Sequence, residues 1–255
     1  MAKIICITNQ KGGVGKTTST ACLAAGFRKI GSRVLCVDFD PQANLSFSCG
    51  VTNEEGSASI YEVIKGQCDA SAAIFRSSST FDVIPSNILM SGIELEFTNT
   101  GREYLLREAL QPIKDRYDYI LIDTPPALGI LTVNALTACD YVVIPMLADI
   151  FSLQGIAQLA ETISRVKTYC NSKIRIEGIL LTKYNSRTIL SKEIKRITEM
   201  IADDMNTEVF QTTIRSSVIL MEVQANQENI LDHVNKHTAI DDYMRLVNEL
   251  TERGV

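Results

Sequence analysis

Six apolar runs punctuate the chain: Ile4–Thr8, Val34–Asp38, Phe81–Pro85, Tyr119–Asp123, Tyr141–Pro145 and Ile176–Thr182. Ile, Leu and Val follow one another in them with little polar alternation. A strand with one wet face alternates apolar and polar residues, whereas a near-continuous apolar strand is covered on both faces, as in a mostly parallel sheet. Between the runs the apolar spacing changes to a helical period. It predicts helices at about 16–30, 102–115, 130–138, 152–170, 189–204 and 238–252. This alternation predicts an α/β fold, a single doubly wound, mostly parallel sheet flanked by helices, formed by one domain over residues 1–255. In such folds ligands sit at the carboxyl ends of the strands. No internal repeat or linker interrupts the pattern. Residues 41–60 and 212–236 are irregular and polar and are expected to form loops near a site. Ser77-Ser78-Ser79-Thr80 reads as a surface loop before a strand.

The junction between the first strand and the first helix carries the most specific chemistry. Residues 10–18 read Gln10-Lys11-Gly12-Gly13-Val14-Gly15-Lys16-Thr17-Thr18. A strand, a glycine-rich turn and a helix N-terminus make a phosphate cradle. The backbone N–H groups and the positive helix end face the anion, and Lys16 supplies a point charge. Thr17 stands where a hydroxyl can hold Mg²⁺. The general pattern is G-x-x-x-x-G-K-[ST]; here Gln10 replaces its first glycine and Lys11 brings a second cation. The resulting K-G-G-x-G-K-[ST]-[ST] is a narrower motif, and it makes nucleoside triphosphate binding the leading expectation.

Two apolar runs end in aspartate. Val37-Asp38-Phe39-Asp40-Pro41-Gln42 spaces Asp38 and Asp40 so that both can point to one side of an extended chain, and Ile122-Asp123-Thr124-Pro125-Pro126 closes another run. In a parallel sheet these ends share an edge with the glycine-rich turn. A carboxylate there can hold a Mg²⁺ shell through water, and a second can orient an attacking water. Each aspartate taken singly also suits a helix cap or a turn.

Three segments together resemble the ParA/Soj family of partition ATPases, within the wider class that shares a deviant phosphate loop with MinD. They are KGGVGKTT at 11–18, VDFDPQAN at 37–44 and LIDTPPALG at 121–129; IPMLADIFSLQGIAQL at 144–159 and EGILLTKYNSRT at 177–188 match more weakly. The resemblance spans most of the chain and implies a deviant P-loop NTPase fold that binds ATP and Mg²⁺. It implies that Gly12, Gly13, Val14, Gly15, Lys16, Thr17 and Thr18 cradle the nucleotide, Lys16 on its β and γ phosphates. Thr17 would ligate Mg²⁺, Asp123 would support the metal through water, Asp38 is a further candidate partner of the metal, and Asp40 would position the hydrolytic water with Asp38 nearby. Lys11 would cross an ATP-dependent homodimer to the partner's phosphates, with Gly12 allowing close backbone approach. A lysine donated by each partner would turn repulsion between two facing triphosphates into attraction; Lys11 acting within its own subunit is the competing reading.

Residues 183–196 concentrate Lys183, Arg187, Lys192, Lys195 and Arg196 against the single acid Glu193, in a chain of net charge −5. Lys192, Lys195 and Arg196 share a helix face by spacing, and Arg215 extends the patch. No base-reading motif accompanies them. Such a patch suits sequence-blind, salt-sensitive contacts to the phosphates of double-stranded DNA, or is simply a solvated helix face blunted by Glu199, Asp203 and Asp204. The resemblance implies the former, together with a ParB-like activating protein, slow ATP hydrolysis and segregation of a plasmid or chromosome.

The bulk numbers set the alternatives. At 255 residues, 45% hydrophobic and 22% charged, the chain has the composition of an ordinary globular protein large enough to bury a core without staples. Its seven cysteines form no C-x-x-C, which suits reduced thiols of a cytoplasmic protein and disfavours an iron–sulfur carrier like the nitrogenase iron protein. No run reaches the roughly 18 apolar residues of a membrane span. Met1-Ala2-Lys3 leads directly into a strand, so neither a signal peptide nor an appended DNA-reading module is expected. A MinD-like membrane-positioning role needs a basic amphipathic tail. Here the tail from Thr238 sets Asp241, Asp242, Glu249 and Glu252 against Arg245 and Arg253. Its apolar face, Ile240, Tyr243, Met244, Val247 and Leu250, is expected to pack on the domain. A small-molecule synthase or kinase on the same scaffold finds no acceptor motif. The expected location is cytoplasmic and nucleoid-associated.

Overall fold

The computed structural model describes residues 1–51, 57–76 and 81–255. Seven strands, β1 (Lys3–Ile7), β2 (Val34–Asp38), β3 (Phe75–Arg76), β4 (Asp82–Ile84), β5 (Tyr119–Asp123), β6 (Tyr141–Leu147) and β7 (Arg175–Thr182), form one sheet in the order β3-β4-β2-β5-β1-β6-β7. All pairings are parallel except β3 with β4. The six expected strands are all present. The two-residue β3 is an addition that no local pattern marks, because an edge pairing this short is imposed by its neighbour.

The helices are α1 (Lys16–Lys29), α2 (Asn44–Ser48), α3 (Ile60–Ile64), α4 (Ile93–Glu96), α5 (Leu105–Leu110), α6 (Ile130–Ala138), α7 (Ile150–Tyr169), α8 (Ile189–Asp204), α9 (Ile219–Ala225) and α10 (Thr238–Glu252). Five match the expected helices closely. The sixth, expected over 102–115, is broken into a 3₁₀ turn at Arg102–Tyr104, α5 and a second 3₁₀ stretch at Gln111–Arg116. Pro112 sits at the start of that second stretch and donates no backbone hydrogen bond. Helices α2 and α9 lie inside the segments read as irregular. Both are under three turns long, too short for a periodic signal. The expected loop at Ser77–Thr80 lies outside the described residues.

Both faces of the sheet are covered, which explains the continuous apolar runs. Ile4, Cys6, Leu35, Val37, Ile120 and Ile122 face one core with α6 and α7. Ile5, Ile7, Val34, Cys36 and Leu121 face the other with α1 and α10. Helix α10 buries Ile240, Tyr243, Leu246, Val247 and Leu250. A Cβ built on Gly26 of α1 would lie 2.5 Å from Val247 Cγ2, so glycine is what lets these two helices approach. The apolar face of the tail is therefore committed to the core, as its charge balance suggested. No helix among the described residues is long and apolar enough to cross a membrane.

Candidate functional site

Register brings the chemistry to one edge. Asp38, last residue of β2, is paired with Asp123, last residue of β5, and Asp123 is also paired with Ile7, last residue of β1. The chain leaves β1 through the glycine-rich turn, so that turn lies over both aspartates. Asn9 shapes its entry: Oδ1 accepts from Lys11 N at 3.0 Å, and Nδ2 donates to Pro145 O at 2.7 Å. Gly15 stands at the N-cap of α1 with φ +89°, a left-handed conformation that glycine adopts without steric cost. Thr182 Oγ1 donates to Val14 O at 2.8 Å and pins the turn's crest to β7. Nothing in the one-dimensional pattern singles out Asn9 or Thr182.

Lys16 opens α1, is only 7% exposed, and donates through Nζ to Lys11 O at 3.2 Å. Burial lowers its pKa, while the charges of Asp123 and Asp40 work in the opposite direction. Thr17 Oγ1 donates to Asp123 Oδ2 at 2.7 Å. Asp123 is fully buried. Desolvation, then the facing charge of Asp38, raises its pKa well above the usual carboxylate range. Two buried carboxylates beside one partly desolvated ammonium make a site short of positive charge. The oxygens offered by Thr17 and Asp123 are the hard donors that Mg²⁺ takes alongside phosphate and water. Among the described residues no group of three or more His, Cys, Asp or Glu could hold a metal by itself. The donor set thus fits a Mg²⁺ that arrives with a nucleotide, and it does not fit an iron–sulfur cluster; all seven thiols are free.

The other two aspartates divide. Asp38 is fully buried, and its oxygens accept from Ser46 N (2.8 Å), Ser46 Oγ (2.7 Å) and Asp40 N (3.2 Å). Burial raises its pKa to about 6 against the lowering effect of those bonds. The site residue read as a possible metal partner is therefore bound up inside the chain, where it anchors the loop bearing Asp40. Asp40 lines the cavity and accepts from Gln42 N at 3.0 Å.

Lys11 departs most from its expected setting. Its ammonium turns to its own chain and contacts Asp149 (2.7 and 2.8 Å) and Ser152 Oγ (3.1 Å). Asp149 caps α7 by accepting from Ser152 N at 2.8 Å. Burial pushes the Asp149 pKa up, but the bonds from Lys11 and Ser152 outweigh it and hold it below the ordinary value. Both partners are about one-third exposed, and an ion pair this wet contributes under about 1 kcal/mol.

A cavity of about 600 Å³ opens over the turn. Gly12 to Thr18 and Asp40 form its floor, and residues from 182–183 and 214–225 form its wall. The segment read as irregular is thus a wall carrying α9. Thr18 Oγ1 ties floor to wall through Gln224 Oε1 at 2.8 Å.

The expected basic patch comes apart. Arg187, Lys192 and Arg196 are exposed on or beside α8, and Lys195 lies 3.9 Å from Glu199. Lys183, in a left-handed conformation with φ +48°, turns its ammonium to Gly13 O at 3.2 Å and lines the cavity. Arg215 also lines the cavity; its guanidinium grips the buried Asp242 at 2.7 and 2.9 Å. Arg245 closes on the same carboxylate. Lys183 and Arg215 therefore belong to the cavity and not to the α8 face, because tertiary packing supplies each with a nearer partner.

A parallel sheet whose first strand runs through a glycine-rich turn into a buried lysine and a threonine–aspartate pair is a P-loop nucleoside triphosphatase fold. The AAA domain family matches residues 2–176. Sporulation initiation inhibitor protein Soj of Bacillus subtilis is 38% identical over the full length of both chains. The chromosome partitioning protein ParA of Myxococcus xanthus is 36% identical, with 99% of this chain and 89% of that protein covered. Among solved structures, cobyrinic acid a,c-diamide synthase of Mycobacterium smegmatis, with bound ADP and magnesium, superposes with a TM-score of 0.86 at 32% identity, covering 98% and 94% of the chains. A putative plasmid partition protein of Borrelia burgdorferi bound to AMPPNP superposes with a TM-score of 0.83 at 26% identity over the whole of both chains. The chain belongs to the ParA/Soj family of partition ATPases.

Proposed function

We propose that this protein binds ATP–Mg²⁺ in the cavity above Gly12–Thr18, dimerises in that state, coats DNA without sequence preference and hydrolyses ATP to move a plasmid or chromosome. The observation that carries this reading is the Thr17–Asp123 contact at 2.7 Å beside the buried ammonium of Lys16. It sets a metal-ligating hydroxyl, its carboxylate support and a phosphate-binding cation at one helix start.

Each residue then has a task. Turn N–H groups and Lys16 hold the phosphate oxygens. Thr17, through its hydroxyl, and Asp123, through water, would hold the Mg²⁺, which would supply neutralisation of phosphate charge. Asp40, at the cavity surface, accepts a hydrogen bond from the attacking water, while Asp38 fixes the loop behind it. The wall at Ile214, Leu220 and Met221 covers the base end. Lys11 leaves the weak pair with Asp149 when a partner's triphosphate offers more charge, which couples nucleotide state to dimerisation. Arg187, Lys192 and Arg196 meet DNA phosphates on the nucleoid of the cytoplasm. A ParB-like protein accelerates hydrolysis and so releases the dimer.

Lys11→Ala tests the central step. The variant is expected to bind ATP measurably by calorimetry, yet to stay monomeric in sedimentation with ATP and to lose hydrolysis and DNA coating. Hydrolysis near the wild-type rate defeats the trans assignment. The likeness to a corrinoid amide synthase supports a second reading, ATP-driven amidation. An ATPase rate that rises with a carboxylate acceptor and an amide donor, and ignores DNA, favours it.

A further inference from the structure

At the opposite, amino edge of the sheet a second cleft of about 390 Å³ opens between the starts of β2, β4 and β5. Four arginines line it: Arg28 from the end of α1, Arg33 before β2, Arg76 in β3 and Arg116 before β5. This is a dense cationic cluster for a chain of net charge −5. Arg33 is matched by Asp118 at 2.8 Å. Arg28, Arg76 and Arg116 have no carboxylate within ion-pair distance among the described residues. Among the described residues the one acid lining the cleft, Asp82, already accepts from Tyr117 Oη at 2.7 Å.

Two observations point to an anion as the ligand this cleft suits. The Arg28 Nη1 donates to Ser32 O at 2.9 Å, but its Nε is buried with no partner. A buried donor without a partner is costly, so a ligand oxygen that accepts from it is favoured. Second, burial and Asp82 push the Tyr117 phenol up, while the positive fields of Arg116 and Arg76 reach the same phenol and oppose them. Arg76, Arg116 and Tyr117 thus line one cleft, with both positive charges within electrostatic reach of the phenol.

We infer that this arginine cleft binds a compact polyphosphate chain, at a site separate from the nucleotide cavity. Planar guanidinium forks match phosphate oxygens two at a time, and a chain of linked phosphoryl groups offers several guanidinium groups such oxygens within a short length. The concave shape suits a chain of linked phosphoryl groups better than the broad backbone of a duplex. The two sites are roughly 15 Å apart, since β2 separates them and its five residues rise about 3.3 Å each. The ligand chemistry has two sources, inorganic polyphosphate and the phosphate tail of a nucleoside polyphosphate.

Calorimetry with inorganic tripolyphosphate tests this on the full chain saturated with ADP and excess Mg²⁺. One equivalent is expected to bind, about tenfold or more tighter than orthophosphate. Arg76→Ser with Arg116→Ser, both surface changes, is expected to weaken it about tenfold or more while leaving ADP affinity unchanged. In parallel, tripolyphosphate is expected to protect Arg28, Arg76 and Arg116 from phenylglyoxal, read by mass spectrometry, which needs no variant to fold. An adenosine tetraphosphate arm, run on the same ADP-saturated protein, separates the sources: tighter binding than tripolyphosphate assigns the nucleotide, equal binding the inorganic chain. No uptake, uptake abolished by ADP, uptake indifferent to the double variant, or stronger capture of oligoglutamate or duplex DNA at these arginines each overturns the inference.

Discussion

The floor and the wall of the cavity over the glycine-rich turn are made in opposite ways. The floor comes from one contiguous stretch, Gly12 to Thr18, over aspartates that parallel register delivers to the same edge. Its energetics are electrostatic: a desolvated lysine, two buried carboxylates and a turn held by Asn9 and Thr182. The wall is gathered from 182–183 and 214–225, more than 160 residues downstream of the turn in sequence. It offers exposed apolar side chains such as Met221 (59% exposed) and is held by Arg215 clasping Asp242. Residues that handle phosphate must stand at fixed distances from one another, so they share one short motif. Residues that only cover a flat base can come from anywhere, so they leave little trace in the pattern.

The sharpest break of this contrast is Lys16→Ala. Removing a buried charge that answers phosphate oxygens is expected to cost about 3 kcal/mol or more, a hundredfold or greater loss of ATP–Mg²⁺ affinity in calorimetry. A loss under tenfold shows that the floor is not where the phosphates lie.

Next comes the pH response of the floor. Asp38 holds its proton up to about pH 6, chiefly through burial. Between roughly pH 4 and 6 the folded chain therefore binds a proton that the unfolded chain releases, and folding stability falls as pH rises through that window. The full cost is in place above pH 6 and is on the order of 3 kcal/mol. Asp38→Asn is expected to be less stable at every pH, since an amide meets the Ser46 donors poorly, yet to lose that slope in urea titrations at pH 4.5 and 6.5. An unchanged slope assigns the titration elsewhere.

The smallest effect belongs to the wall. Met221→Ala is expected to weaken ATP and ADP alike, about three- to tenfold, because about 1 kcal/mol of apolar cover over the base is lost. A selective loss of ATP binding would place the wall against the phosphates instead.

Much of this was legible before any coordinates. The six apolar runs, the ends of α6, α8 and α10 and the sense of the pairing follow from periodicity, because strands buried on both faces and helices with one buried stripe write their environment into every residue. Short elements did not show: β3, α2 and α9 are held by contacts to distant segments, and the break around α5 needed Pro112 to be weighed against an otherwise helical pattern.

Local sequence determined the α/β class, the glycine-rich turn and the identity of the floor, since each depends on spacing within a few residues. Tertiary structure alone decided the partners of the charges. It turned Lys11 onto Asp149, drew Lys183 and Arg215 to the cavity, locked Asp38 behind Ser46 and gathered four arginines at the far edge of the sheet. The reason is physical: a charge acts on whatever lies within several ångströms of it in space, and separation along the chain says almost nothing about that distance.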